Sequence, residues 1–216
     1  MQNFFTVAMP LLASVTTNTA IMPFSEYKLQ GSPPVMDSRP FSIIKEFDSE
    51  TAILEVAPEK PKETRLICKG CNENENATLA YFQSVGITDK NALAVIMGNI
   101  KQESMFVPNI CEGGYRTSYH NCGRGFGLIQ FTSSNRYYGL GSFARKIGGN
   151  PSSLDTQLRY ILSEPQWKSI EHKMKTPGKS IDRYMNYAYS WIGWGISGAR
   201  SHYARDYASR MISVEV

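Results

Sequence analysis

The sequence predicts an α+β fold: a mainly helical domain with one small β-hairpin element, preceded by an extended N-terminal arm. Three observations carry this expectation. From residue 76 onward, apolar residues recur at helical spacing in run after run. Residues 111–132 break that pattern with Gly113, Gly114, Gly123, Gly125 and Gly127. Residues 1–66 hold Pro10, Pro23, Pro33, Pro34, Pro40, Pro58 and Pro61, and no helical period survives there for long.

The arm comes first. FSIIKEF and TAILEVA read as short strands within it, but the segment has little with which to bury itself. Any order in it must come from its own body or from another subunit, which hints at an assembly component. Its apolar stretch FFTVAMPLLASV, residues 4–15, is too short to span a membrane and is interrupted by Pro10. It lacks the positive start and small-residue cleavage site of a secretory signal, so it reads as an uncleaved arm. We therefore divide the chain into residues 1–66, an arm, and residues 67–216, a folded domain. Residues 1–66 carry 6 Lys/Arg against 8 Asp/Glu, a net of −2, and residues 67–216 carry 17 against 11, a net of +6. A basic body suits a polyanionic surface, and an ordinary solvated surface is equally consistent with it. The overall charge of +4 is too small to argue for nucleic acid.

Helices follow in order. ATLAYFQSVG stops near Gly86, and ITDKNALAVIMGNIKQES can be capped by Thr88 or Asp89. In the second run Leu93, Ile96 and Ile100 share a face, and Pro108 forbids continuation. The glycine-rich interval reads as a hairpin or broad loop ending in a short strand, FGLIQFT. Residues 134–147, 153–164, 166–175, 180–191 and 198–211 read as further helices, without internal repeats.

Cys68 and Cys71 form a CxxC, and Cys111 and Cys122 flank the loop EGGYRTSYHN. Three readings stand open: a Cys111–Cys122 disulfide closing that loop, a four-thiolate zinc site with poor spacing, or free thiols. A cysteine peptidase using Cys122 beside His120 is disfavoured, because a nucleophilic thiol wants a helix N-terminus and a third orienting group.

Glu103 is the candidate acid. It follows Ile96 and Ile100 on one helix face, in the last turn of the helix. An apolar face and a helix C-terminus both favour the protonated carboxyl, as a general acid requires. Downstream, GRGFGLIQFT offers glycines that permit close backbone approach to a ligand. Gln130 there suits a sugar amide or a held water. Tyr137, Tyr138, Tyr184, Tyr187, Trp191 and Trp194 are divided between core and sugar stacking, and Arg200, Arg205 and Arg210 read as solvated surface.

An E-S-x-F-x-P segment at a helix end, followed by G-x-G-L-x-Q, resembles the goose-type lysozyme and lytic transglycosylase superfamily. AVIMGNIKQES and GFGLIQFT look most like its phage tail lysozyme branch, over about residues 75–210. The resemblance implies a lysozyme-like domain with Glu103 as catalytic acid and Gly127, Leu128 and Gln130 in the sugar-binding element. Many relatives carry a later A-Y-N-A-G phrase. Here AYSWIGWG keeps Ala188 and Tyr189 but has Ser190 for the asparagine, and Tyr189 is carried over as a cleft residue. The implied function is a muramidase cutting the β-1,4 bond between N-acetylmuramic acid and N-acetylglucosamine, with no cofactor or metal. The implied partners are peptidoglycan strands and, through the arm, other virion proteins of a tail or baseplate acting at the host wall or periplasm. Neither nucleic acid nor stable membrane insertion is expected. A second carboxylate is not evident: Glu112 and Asp155 are nearest in sequence. A transglycosylase needs none, so hydrolase and transglycosylase both stand. The rival from another class is a non-catalytic structural or wall-binding protein on the same scaffold.

Overall fold

The computed structural model describes residues 64–215. FSIIKEF and TAILEVA lie outside these residues. The domain is mainly helical with two small antiparallel strand pairs.

The central element is α2, Lys90–Ser104. Asp89 caps it, accepting from the N–H groups of Asn91 and Ala92. Every residue from Ala92 to Ile100 is buried, so α2 is covered on all sides rather than along one stripe. Before it lie β1, Thr64–Cys68, and α1, Glu73–Ser84. Asn72 and Glu75 form a capping box at the start of α1. After α2 comes a hairpin of β2, Ile110–Cys111, and β3, Tyr115–Arg116, with a single 3-10 turn at Tyr119–Asn121.

Four helices follow: α3, Ser134–Ile147; α4, Leu154–Ser163; α5, Pro165–Lys175; and α6, Ile181–Ile192. Ser133, Ser153 and Ser180 cap α3, α4 and α6, and Pro165 opens α5 at a position where its missing N–H is harmless. The domain closes with α7, Arg200–Arg210, and β4, Met211–Glu215.

Two features depart from expectation. The last helix ends at Arg210, and an unforeseen strand β4 follows, which pairs antiparallel with β1 from Thr64↔Glu215 to Cys68↔Met211. β1, Thr64–Cys68, was likewise not foreseen as a strand. The partners of this ladder are too far apart in sequence for a local pattern to reveal them.

The contact that matters most for the site is α2 against α7. A Cβ at Gly98 would lie 2.6 Å from the Ala204 nitrogen and 2.8 Å from the Arg200 carbonyl oxygen. The two helices therefore touch backbone to backbone, and only glycine permits it. This crossing brings the start of α7 beside the last turn of α2.

Candidate active site

Several residues of Glu103–Pro108 hold the end of α2 in place. Met105 ends the helix in the left-handed conformation, and Phe106 follows at φ 62°. Asn74 donates to the Phe106 carbonyl at 2.9 Å, and the Phe106 ring is buried edge-on to Tyr207. Ser104, also buried, donates from Oγ to the Leu128 carbonyl at 2.9 Å. That bond ties the Glu103 segment to the Gly-Leu-x-Gln segment.

Glu103 is mostly shielded, with 14% of its side chain exposed. Its carboxylate is paired with the Arg200 guanidinium, which donates from Nη2. Arg200 is buried at the first position of α7, lies over the Trp194 ring at 4.8 Å, and approaches Asn99 Oδ1 at 3.4 Å. Its Nε has no partner among the described residues. Asn99 is in turn held by donating to the Val95 carbonyl at 2.8 Å. The expectation that Arg200 belongs to the solvated surface is therefore corrected. Arg205 and Arg210, grouped with it, do make surface pairs with Asp182 and Asp206. Likewise, Glu103 is not a lone carboxylate on an apolar face but one half of a shielded ion pair. No local pattern could link Arg200 to Glu103, because they are 97 residues apart.

The opposite wall is the loop from Cys111 to Thr132. The expected strand FGLIQFT is instead a turn: only Phe126 bridges to Cys111, and Phe131 N–H closes back on the Phe126 carbonyl at 2.9 Å. Gly127 at φ 75° and Gln130 at φ 49° cannot lie in an extended ladder. What holds the turn is Gln157 of α4, fully buried. Gln157 Oε1 accepts from the Leu128 N–H at 2.8 Å. Its Nε2 donates to the Pro108 carbonyl at 2.6 Å and the Pro151 carbonyl at 2.8 Å. A side chain on Gly127 would collide with that amide. Sequence reasoning missed Gln157, since a glutamine in a helix carries no signal of its own.

The cleft between these walls has a volume of about 520 Å³ and includes Glu103, Glu112, Gln130, Thr132, Trp194 and Arg200 in its lining. Of the expected sugar-binding residues, Gln130 lines it. Leu128 is wholly buried and Gly127 lies under Gln157, so both shape the turn rather than face the cleft. Tyr189 is exposed and packs edge-on against Trp194 at 5.0 Å. Glu112 shares the cleft with Glu103. Asp155 does not: it is exposed on α4 and paired with Arg159.

Cys111 and Cys122 are joined, with Cα atoms 5.7 Å apart, and so are Cys68 and Cys71. The Cys122 sulfur is thus committed to a bridge, which removes the nucleophile of the peptidase reading. Behind the loop, Tyr119, Tyr137 and Tyr160 all have phenols raised by burial, Tyr160 up to about 12 with Glu164 adding to the effect.

A buried central helix ending in a cleft carboxylate, faced by a glutamine on a glycine-rich turn, is a lysozyme-like arrangement. The family model for phage tail lysozyme matches residues 73–211, and the chain belongs to that family. It is thus a lysozyme-like phage protein. No curated protein and no solved structure was found to match the chain.

Proposed function

We propose that the protein cleaves the β-1,4 bond between N-acetylmuramic acid and N-acetylglucosamine of peptidoglycan, with Glu103 as general acid. The observation that carries this reading is that Glu103, mostly shielded at the end of α2, lines the same cleft as Gln130 and Glu112. Glu103 acts after taking up a proton from solvent, and passes it to the glycosidic oxygen as the bond to the sugar's anomeric carbon breaks. The carboxylate left behind has the Arg200 guanidinium already beside it, so the charge that develops is met without rearrangement. Gln130 supplies a neutral donor and acceptor for the sugar's amide.

Glu112, in that same cleft, favours hydrolysis over the transglycosylase route. It can take a proton from an attacking water, whereas a transglycosylase would use the muramic 6-hydroxyl and need no second carboxylate. Residues 1–66 are the segment that would dock to other proteins of the phage tail. Their repeated prolines and net charge of −2, opposite to the net +6 of the rest, support that role.

The test is mass spectrometry of fragments released from purified peptidoglycan by the full chain, beside Glu103→Gln and Glu112→Gln. Wild type releases fragments with free reducing ends. Glu103→Gln, shown by a thermal melt to be folded, loses at least about 100-fold in rate, the usual worth of a positioned acid. Fragments ending in 1,6-anhydromuramic acid would remove Glu112 from the mechanism. No products from folded wild type would leave the non-catalytic, wall-binding reading.

A further inference from the structure

The two disulfides are built differently. Cys111–Cys122 joins cysteines 11 residues apart, and both are buried, at 1% and 2% exposure. It pins the loop that carries Gln130. Cys68–Cys71 joins cysteines only 3 residues apart, between the end of β1 and the cap of α1. A bridge over so short a span constrains the unfolded chain least, so it adds little stability. Nor does β1 depend on it. Gln83 of α1 holds both backbone groups of Leu66, accepting from its N–H at 2.7 Å and donating to its carbonyl at 2.9 Å. All five residues of β1 are paired with β4 as well.

The surroundings of Cys71 favour a thiolate. It is partly exposed, and the Lys69–Gly70 turn beside it is fully open to solvent. It lies one residue before the Asn72 cap, at the positive end of the 12-residue α1. Arg210 Nη1 stands 3.3 Å from its sulfur. A helix N-terminus and an adjacent guanidinium each stabilise a thiolate. The arginine reaches over from the end of α7 and is fixed there. Its Nε and Nη2 donate to Asp206 Oδ2 at 3.0 and 2.7 Å, and the group lies over the Tyr207 ring at 4.6 Å. Lys69 adds a second cation in the turn. The nearby carboxylates are engaged or in solvent. Asp206 is held by Arg210, Glu75 accepts from Tyr207 and from the Asn72 N–H, and Glu73 is exposed in the first turn of α1. Cys68, by contrast, is buried at 7% exposure.

We infer that Cys68–Cys71 is a redox-exchange site that takes dithiols, separate from the structural Cys111–Cys122 bridge and independent of the muramidase reading. One thiolate of the dithiol attacks the partly exposed Cys71 sulfur. The Cys68–Cys71 bond breaks, a mixed disulfide forms on Cys71, and Cys68 leaves as a thiolate that takes a proton from water. The second thiolate of the reagent then attacks the reagent's own sulfur in the mixed disulfide. That closes the reagent's disulfide and releases Cys71 as a thiolate beside Arg210. Two electrons pass from the dithiol to the cysteine pair. Because the reduced pair is stabilised, the bridge opens under milder reduction than a structural one. In an oxidising compartment the steps reverse: the Cys71 thiolate attacks a disulfide, and Cys68 closes the bridge. The chain thus carries one bridge that holds the cleft loop and one that follows its compartment.

The test equilibrates the full chain with dithiothreitol at graded ratios of its reduced and oxidised forms. Free thiols are trapped with N-ethylmaleimide, and each cysteine is read by peptide mass spectrometry. Cys68 and Cys71 are expected to open at a ratio at least about tenfold less reducing than Cys111 and Cys122 require, with the chain still folded by thermal melt. Arg210→Gln lowers the equilibrium constant for opening about fivefold, and Arg210→Lys keeps most of it. In the reduced wild-type chain, alkylation of Cys71 by iodoacetamide slows little between pH 9 and pH 7, where an ordinary thiol slows more than about tenfold. This last measurement needs no variant, so it decides the matter even where Arg210→Gln fails to fold. Opening of both bridges together, an ordinary pH dependence at Cys71, or an equilibrium constant unmoved in folded Arg210→Gln overturns the inference. Peptidoglycan cleavage enters none of these readouts, so the muramidase reading stands or falls separately.

Discussion

Glu103 and Gln130 face one cleft from segments that are held in different ways. The Glu103 wall is made by α2 against α7, where Gly98 lets the backbones touch and a buried arginine is delivered to the acid. The Gln130 wall is a loop with little regular structure. It is fixed by a disulfide, by Ser104, and by the amide of Gln157. The first wall depends on close-packed surfaces, which transmit any added volume along both helices. The second depends on a few polar bonds, so a single lost amide frees one turn while the core stays intact. A close-packed wall carrying Glu103 thus faces a locally pinned loop carrying Gln130.

Gly98→Ala should break this difference most severely. Its methyl would meet backbone atoms rather than a side chain that can move aside, so α7 must shift and take Arg200 with it. We expect a loss of about 3 kcal/mol, at the upper end for overpacking, in chemical denaturation, and a fall in wall-cleaving activity greater than the stability loss explains. Wild-type stability with full activity would mean that the α2–α7 crossing is not close-packed.

Gln157→Ala tests the second wall. It strands the Leu128 N–H and the Pro108 carbonyl, each buried or half-buried. The expected loss is roughly 2 kcal/mol, with hydrogen exchange quickening at Leu128 and Gln130 before it quickens in α2. Uniform quickening across both walls would show that they open as one unit.

Alkali gives the finest distinction. The Tyr160 phenol is raised by burial to about 12, while in the unfolded chain it ionises near its ordinary value of 10.0. Its contribution to stability is complete below pH 10 and is lost as the pH rises from there towards 12, because only the unfolded chain releases the proton in that window. One such proton gives a slope of about 1.4 kcal/mol per pH unit. Tyr160→Phe should make the pH 10–12 decline shallower by up to that amount, at some loss of neutral stability from the missing bond to the Arg136 carbonyl. An unchanged slope would assign the alkaline decline to other tyrosines, such as Tyr207 beside α2, whose phenol is also raised by burial.

Much of the fold was legible because it is written at short range. Asp89, Ser133, Ser153 and Ser180 cap the helices they precede, and residues 134–147 form a helix over the whole span that their periodicity predicts. Leu93, Ile96 and Ile100 lie in the core as their spacing requires. The Gly-Leu-x-Gln segment was misread as a strand. Its apolar run imitates one, but Gly127 and Gln130 adopt positive φ, and the Leu128 N–H between them donates to Gln157 of α4, nearly thirty residues later in the chain. β4 was not foreseen, because MISVE follows the last helix with no strand signal of its own and its partner β1 lies at the other end of the described residues.

By itself, then, the sequence determined the helices, their caps, the central apolar helix and the position of Glu103 at its end, because each follows from residues within a turn or two of one another. Only the tertiary structure decided what surrounds that carboxylate. Arg200, Gln157 and Glu112 reach the site from separate elements. Their roles depend on a helix crossing that one glycine permits and on a loop whose shape is set by a buried amide. Such contacts join residues far apart in the chain, and local periodicity carries no record of them.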